Sequence, residues 1–217
     1  MNRTRHNGLT LVELVIMIAL VIVVALALIP LIREAMLSAE VVRMKERSGR
    51  GIWIAIVSAN ACREPLGKLP FWPCETGYGE TNTSTAYFRY LMSDGSGNVT
   101  GNLQDQLVSD LTPLLLGGSG VPVAETASAF SSANNAWSVL CVTNDTPAEV
   151  AFLVTRNADL EQPVSSNAVV SLCDEKPFGR KRVVWVTHGG GCFDTKPRAF
   201  TGATLVPTTN LLEVMRP

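Results

Sequence analysis

Histidine is scarce in this chain: among 217 residues there are only two, His6 and His188. A Ser-His-Asp set needs a histidine beside its nucleophile, and the body of the chain offers only one, which argues against that class of hydrolase. The run Gly189–Gly191 is not followed by the Gly-Lys-Ser/Thr of a phosphate-binding loop. We therefore expect a protein that is not an enzyme and has no catalytic residues.

Clustered metal ligands and a large net charge are also missing. The formal net charge is −1, from 18 basic and 19 acidic residues, which predicts no nucleic-acid partner. His188, Cys192 and Asp194 stand near one glycine turn and could bind zinc, and Asp174, Glu175 and Asp194 could supply oxygen ligands to calcium. Neither set has the ligand spacing of a zinc or calcium motif. We expect no metal site and no cofactor.

Charge is absent altogether from Leu14 to Ile32, and this run also contains no glycine. A helix of that length spans roughly 28 Å, close to the thickness of a bilayer core. Pro30 lies near its far end, where a kink is expected. Arg3 and Arg5 precede the run, which favours a cytoplasmic N-terminus, a single pass through the membrane and a globular part on the other side.

A secretory signal peptide also begins with basic residues and an apolar stretch. The run here is longer than a typical signal-peptide core, and no small-x-small cleavage site follows it. One acid, Glu13, also stands at its start. A carboxylate in hydrocarbon is costly, so it is expected to have a function. The simpler alternative is that Glu13 reaches the nearby lipid headgroups.

The segment Gly8-Leu9-Thr10-Leu11-Val12-Glu13, with the apolar run behind it, resembles the N-terminus of type IV prepilins and type II secretion pseudopilins. The resemblance implies that a prepilin peptidase cleaves after Gly8 and that Leu9 becomes the methylated N-terminus. Glu13 is then the fifth residue of the mature chain and Pro30 the twenty-second, as in the family. Leu9 departs from the pattern, since phenylalanine is usual there.

The resemblance gives the carboxylate of Glu13 a partner. Cleavage would leave an ammonium on Leu9, which can pair with Glu13 of a neighbouring subunit. Both charges would otherwise be unpaired in hydrocarbon, at a cost of several kcal/mol. The implied partners are the prepilin peptidase, other pilins or pseudopilins in a homo- or heteropolymer, an inner-membrane platform protein and membrane lipid.

The implied fold is α+β and pilin-like, with a long N-terminal spine helix packed on a small antiparallel sheet. Its segments are a leader (1–8), the transmembrane half of the helix (9–32), an amphipathic half (33–61), a variable loop region (62–135) and a sheet with a C-terminal tail (136–217). The amphipathic half carries small or apolar residues at helical spacing: Leu37, Val41, Met44, Ser48, Ile52, Ala55 and Ala59.

Shorter elements are predicted within the last two segments. Residues 81–92 and 103–116 are typical of short helices, and 117–135 of an exposed loop. Strands are predicted at 137–143, 150–155, 168–172 and 183–188, with one more edge strand at 200–207.

Five cysteines follow the apolar run, so an oxidising compartment would allow two disulfide bonds. Cys62 with Cys74 and Cys173 with Cys192 are the candidate pairs, which leaves Cys141 as a buried thiol. Spacing alone does not establish this connectivity.

We interpret the chain as a structural filament subunit, most consistent with a type II secretion pseudopilin located in the inner membrane until assembly, with a periplasmic globular domain. One alternative is a minor or tip pilin that binds a surface, DNA or a secreted substrate through Phe71, Trp72 and the 117–135 loop. Phe71 and Trp72 are more simply explained as core residues. Another alternative is an enzyme that uses the apolar helix as a membrane anchor.

Overall fold

The computed structural model describes residues 10–76, 83–94, 106–108, 111, 118, 120–160, 162–196, 200–207 and 212–217. Two compact units make up the chain, Met1–Ala39 and Glu40–Pro217. The described part of the first unit belongs almost entirely to one helix. The second unit contains an antiparallel sheet, shorter helices and loops, so the predicted α+β class with a long N-terminal helix and a small sheet is confirmed.

Helical backbone runs without interruption from Leu11 to Leu66, over 56 residues. It comprises α1 (Leu11–Arg43), a π-helical turn (Met44–Gly49), α2 (Arg50–Arg63) and a final 3-10 turn (Glu64–Leu66). It ends at Gly67, whose φ of +63° places it in the left-handed region that favours glycine. Pro30 lies inside α1.

The predicted amphipathic face is present. Val41, Met44, Ser48, Ile52 and Ala55 are buried, whereas Leu37 and Ala59 are partly exposed. Gly49, in the π-helical turn, is also buried. A π-helical turn contains one more residue than an α-helical turn, so it changes which residues of the following helix face the core. The sequence pattern does not predict this turn.

The described residues after residue 83 contain two short helices and seven strands. Helix α3 (Ser84–Leu91) begins at its cap Thr83, inside the predicted range of 81–92. The strands are β1 (Trp137–Leu140), β2 (Ala151–Thr155), β3 (Ala158–Asp159), β4 (Ser171–Leu172), β5 (Val183–Thr187), β6 (Cys192–Thr195) and β7 (Val214–Met215). A five-stranded sheet has the order β6-β5-β2-β1-β7, and β3 pairs with β4 in a two-stranded sheet; all pairings are antiparallel.

The large sheet is covered on both faces, which is why β1, β2 and β5 are buried at every position. The π-helical turn lies on one face, with Gly49 against Val186 and Trp137. On the other face Trp185 belongs to an apolar cluster that includes Phe200. A sheet with two covered faces loses the alternation of apolar and polar residues that otherwise indicates strands.

Several predicted elements differ from the observed ones. The edge strand expected at 200–207 is wrong: residues Gly202–Leu205 form a short helix, α4. Thr201 and Thr204 form a capping box at its start, a local contact that favours a helical turn over an extended strand. The strand expected at 168–172 is reduced to β4, while β3, β6 and β7 are not predicted. The helix expected at 103–116 falls largely outside the described residues.

Candidate functional site

The acid in the apolar run lies at the start of α1, where a hydrogen-bonded cap holds it. The backbone N–H of Thr10 donates to Glu13 Oε2 at 2.8 Å, and Thr10 Oγ1 is 2.9 Å from the same oxygen. In return, the Glu13 N–H donates to Thr10 Oγ1 at 3.3 Å. This is the reciprocal arrangement of a capping box. The threonine side chain accepts from the backbone N–H of the acid three residues later, and the acid side chain accepts from the backbone N–H of the threonine.

Thr10 is the one residue at this end of the helix whose role the sequence analysis overlooked. The spacing Thr10-x-x-Glu13 immediately before an apolar helix is itself typical of a helix start. The cap accounts for the start of α1 at Leu11. It also gives Glu13 a local structural role that is independent of any neighbouring subunit.

Beyond Glu13, α1 displays its apolar side chains openly. Large residues from Leu14 to Ile32 are 40–66% exposed, and none of the most apolar window of the helix is buried. A core helix of a soluble protein would be mostly buried. By length and composition this helix is long and apolar enough to cross a membrane, and no other helix in the described parts of the chain meets the same test.

The two residues expected at the processing site, Gly8 and Leu9, lie outside the described residues. Pro30, the second expected assembly residue, lies within α1, and its ring removes one backbone hydrogen-bond donor from the helix. The described structure therefore brings together Thr10 and Glu13 at the start of the helix, while Pro30 is about five turns away.

Phe71 and Trp72, the candidate residues for a binding surface, belong to the core. They are 2% and 4% exposed. The Phe71 N–H donates to Asn60 Oδ1 of α2 at 2.6 Å, and Trp72 packs edge-on against Phe152 at 5.3 Å between ring centroids. A sugar or base needs an open ring face for stacking, which neither side chain offers.

The side chains near the glycine turn have separate partners. Asp194 forms ion pairs with Lys45 at 3.0 Å and with Arg182 at 3.4 Å. Cys192 Sγ contacts the carbonyl of Gly190 at 3.7 Å. The His188 ring packs on Trp72, with 4.5 Å between centroids. Burial lowers the pKa of His188, and a backbone hydrogen bond with Thr146 partly opposes that shift.

All five cysteines lie in the described residues, and the structure holds them as thiols, so neither candidate disulfide is formed. Cys173 follows β4, and its Sγ donates to the carbonyl of Asn157 at 3.3 Å. Cys192 belongs to β6 on the other sheet, so tertiary structure separates these two residues into different elements. Cys141 is buried, as predicted. The pairing under oxidising conditions stays a prediction.

Comparison of the chain with protein-family models, with curated proteins and with solved structures finds no match.

Proposed function

We propose that this chain is a structural subunit of a type IV pilus-like filament, most consistent with a pseudopilin of a type II secretion system. The observation that carries the proposal is Glu13, an acid at the start of an exposed apolar helix and at the fifth position after Gly8. In this proposal the peptidase removes residues 1–8, the helix resides in the inner membrane, and the globular unit lies in the periplasm. Assembly uses the helix, with no catalytic residues.

The capping box supports the proposal by fixing where the carboxylate lies. It begins the helix at Leu11, with Glu13 in the first turn. The ammonium that the proposed cleavage would create on Leu9 would be only four residues from Glu13 in the sequence. In an array of parallel helices, the N-terminal ends of neighbouring subunits lie close together. The pairing of opposite charges would then set the axial offset between neighbouring helices. Two charges that pair in a low-dielectric layer avoid the cost of leaving each alone.

Substitution of Glu13 by glutamine separates the proposed assembly role from the cap. Glutamine also serves as the acceptor in a capping box, so Glu13→Gln keeps the helix start and removes only the charge. We expect normal membrane insertion and loss of filament assembly, measured by membrane fractionation and by shearing or imaging of filaments from cells expressing the variant.

Thr10→Val is the matched control. It removes the capping hydroxyl, at a cost of about 1 kcal/mol in helix stability, and keeps the carboxylate. We expect filaments to form. Assembly of Glu13→Gln at the wild-type level would refute the charge-pairing role. If Thr10→Val abolished assembly as completely as Glu13→Gln, the cap and not the charge would be the essential feature.

The observed structure does not favour the tip-pilin alternative, because the aromatic residues that suggested it are buried. The anchored-enzyme alternative lacks an acid–base set in the sequence. A structural subunit is therefore the function we carry forward.

A further inference from the structure

A polar cleft opens on the face of the five-stranded sheet that carries the Trp185 cluster. Ser138 of β1 lies two residues before Leu140, which belongs to that cluster, so both side chains point to this face. Leu140 is covered by apolar neighbours, whereas Ser138 lines a cleft of about 540 Å³. The cleft walls carry two basic and two acidic side chains: Arg156, Arg216, Asp159 and Glu175.

Ser138 supplies a buried hydroxyl to this cleft. The residue is 3% exposed, and no hydrogen bond within the described part of the chain involves its hydroxyl. A buried hydroxyl without a partner is unfavourable for folding, so packing alone does not account for a serine in the middle of β1. The hydroxyl is therefore available to a molecule that enters the cleft.

Arg156 supplies a positive charge to the same cleft. Its Nε donates to the carbonyl of Lys176 at 2.9 Å, and its Nη1 donates to the carbonyls of Ser132 and Asn135, at 2.9 Å each. These three contacts fix the plane of the guanidinium, because its N–H donors have a rigid geometry. Among the described residues, no carboxylate lies within ion-pair distance of Arg156. Its Nη2 group is therefore left for an acceptor on a ligand.

The other charges on the walls divide into a paired set and an unpaired one. Arg216 donates to Asp159 Oδ1 at 3.1 Å, so these two side chains neutralise each other. Glu175 is exposed, and its carboxylate forms no ion pair with any cation that the structure describes. Pro217 also lines the cleft, and where it ends the chain its carboxylate adds to the acidic side. The cleft thus presents an unpaired cation, Arg156, together with an unpaired acid.

We propose that this cleft binds a short peptide with free termini. The C-terminal carboxylate of the peptide pairs with Arg156 and accepts from the Ser138 hydroxyl, and its N-terminal ammonium pairs with Glu175. Both protein charges belong to one part of the cleft, because Glu175 directly precedes Lys176, whose carbonyl contacts Arg156. A ligand with a single charge would satisfy only one of them. The volume is that of a site for a small organic molecule, and an inorganic ion would fill little of it.

Titration calorimetry of the full chain in detergent with the dipeptide alanyl-alanine tests the site. This probe carries both charged termini on minimal side chains. Two blocked probes are the matched comparisons, because N-acetyl-alanyl-alanine lacks the ammonium and alanyl-alaninamide lacks the carboxylate. We expect alanyl-alanine to bind with a Kd below about 10 mM, and each blocked probe to bind about ten-fold more weakly or worse, which is the loss expected for one charge-assisted contact.

Ser138→Ala separates binding from folding. Because the hydroxyl has no hydrogen bond within the described structure, the variant should keep the thermal midpoint of the wild type and bind alanyl-alanine several-fold more weakly. Ser58→Ala, at an exposed serine of α2, is the matched control and should change neither property. Glu175→Gln should weaken the binding of alanyl-alanine and leave that of N-acetyl-alanyl-alanine unchanged, since only the first probe carries the ammonium.

Three results would overturn the proposal: equal binding of alanyl-alanine and both blocked probes, equally tight binding of inorganic phosphate, or no binding of alanyl-alanine below about 10 mM. Wild-type affinity in Ser138→Ala would overturn it as well. The inference does not depend on the proposed filament function. A Glu13→Gln chain that forms no filaments should still bind alanyl-alanine, so failure of one proposal can be told from failure of the other.

Discussion

At the scale of single residues, Glu13 has one observed role, in the helix cap, and one proposed role, in assembly. Its carboxylate caps the helix through Thr10, and this contact alone would explain an acid at that position in a soluble helix. The nineteen uncharged residues that follow make the cap insufficient as an explanation, because an acid beside a membrane-length run carries an extra cost. Testing charge and cap separately is therefore essential.

His188 provides a residue-scale prediction about pH. Burial lowers its pKa in the folded chain from the ordinary value of 6.5, so the unfolded chain binds a proton at a higher pH than the folded chain does. The neutral imidazole makes its full contribution to stability at pH values above the pKa of His188 in the unfolded chain. This contribution is lost as the pH falls from that value towards the lower pKa of the folded chain. We expect the thermal midpoint to decrease between about pH 8 and about pH 5, and His188→Gln to reduce that dependence.

The only other histidine, His6, supplies the control. His6→Gln should leave the pH dependence of the midpoint unchanged, since His6 lies in the predicted leader. A pH profile of His188→Gln identical to that of the wild type would show that His188 is not the titrating group.

At the scale of elements, the π-helical turn determines how the long helix meets the sheet in the second unit. It brings Ser48 and Gly49 to the sheet together. The Trp137 Nε1–H donates to Ser48 Oγ at 3.0 Å, and both groups are buried. A buried donor without this acceptor would cost about 1–3 kcal/mol. The small side chains thus allow close approach and satisfy the one polar atom of the indole.

Gly49→Ala tests this approach. A Cβ at position 49 would lie 2.6 Å from Val186 Cγ2, closer than real Cβ atoms pack, and a tight 3.1 Å from Trp137 Cη2. We expect a loss of about 1–3 kcal/mol in the free energy of unfolding, measured by denaturant titration. Gly51→Ala, two residues later in α2, should instead be neutral or stabilising by up to about 1 kcal/mol, because alanine is the better helix former. Equal effects at the two positions would contradict the packing account.

At the scale of the whole molecule, the proposed processing step is the next consequence to test. Gly8 is the only glycine ahead of the apolar run, so no neighbouring glycine offers a substitute cleavage site. Gly8→Ala should therefore block cleavage by the prepilin peptidase, and the purified chain should be heavier than the wild type by the mass of residues 1–8 and lack N-terminal methylation. Intact-mass spectrometry of protein from a host that expresses the peptidase measures both. A wild-type chain that retains its leader in that host would contradict the processing scheme.

Much of the architecture was predictable because local patterns were strong. The uncharged run, the apolar face from Val41 to Ala55 and the strands β2 and β5 follow from periodicity and β-branched composition. Less was predictable where contacts distant in sequence decide the outcome. The strand β7 has two residues, and only pairing with β1 makes it a strand. Within the segment 200–207, residues Gly202–Leu205 form α4, because a capping contact between Thr201 and Thr204 competes with the apolar composition.

The features of the candidate site also fall into those predictable from the sequence and those that depend on tertiary structure. The acid, the glycine at the expected cleavage position and the length of the apolar run are properties of consecutive residues, which the sequence by itself determines. The core position of Phe71 and Trp72, which their sequence context favoured, is confirmed by their burial. Tertiary structure alone decided that Asp194 is neutralised by Lys45 and Arg182, and that β6 and β7 are the edge strands of the five-stranded sheet. The physical reason is the distance in sequence over which each property is determined. Charge, segment length and residue spacing can be read from residues within a few turns of one helix. Burial, ion pairing and strand order depend on which distant segments fold against one another.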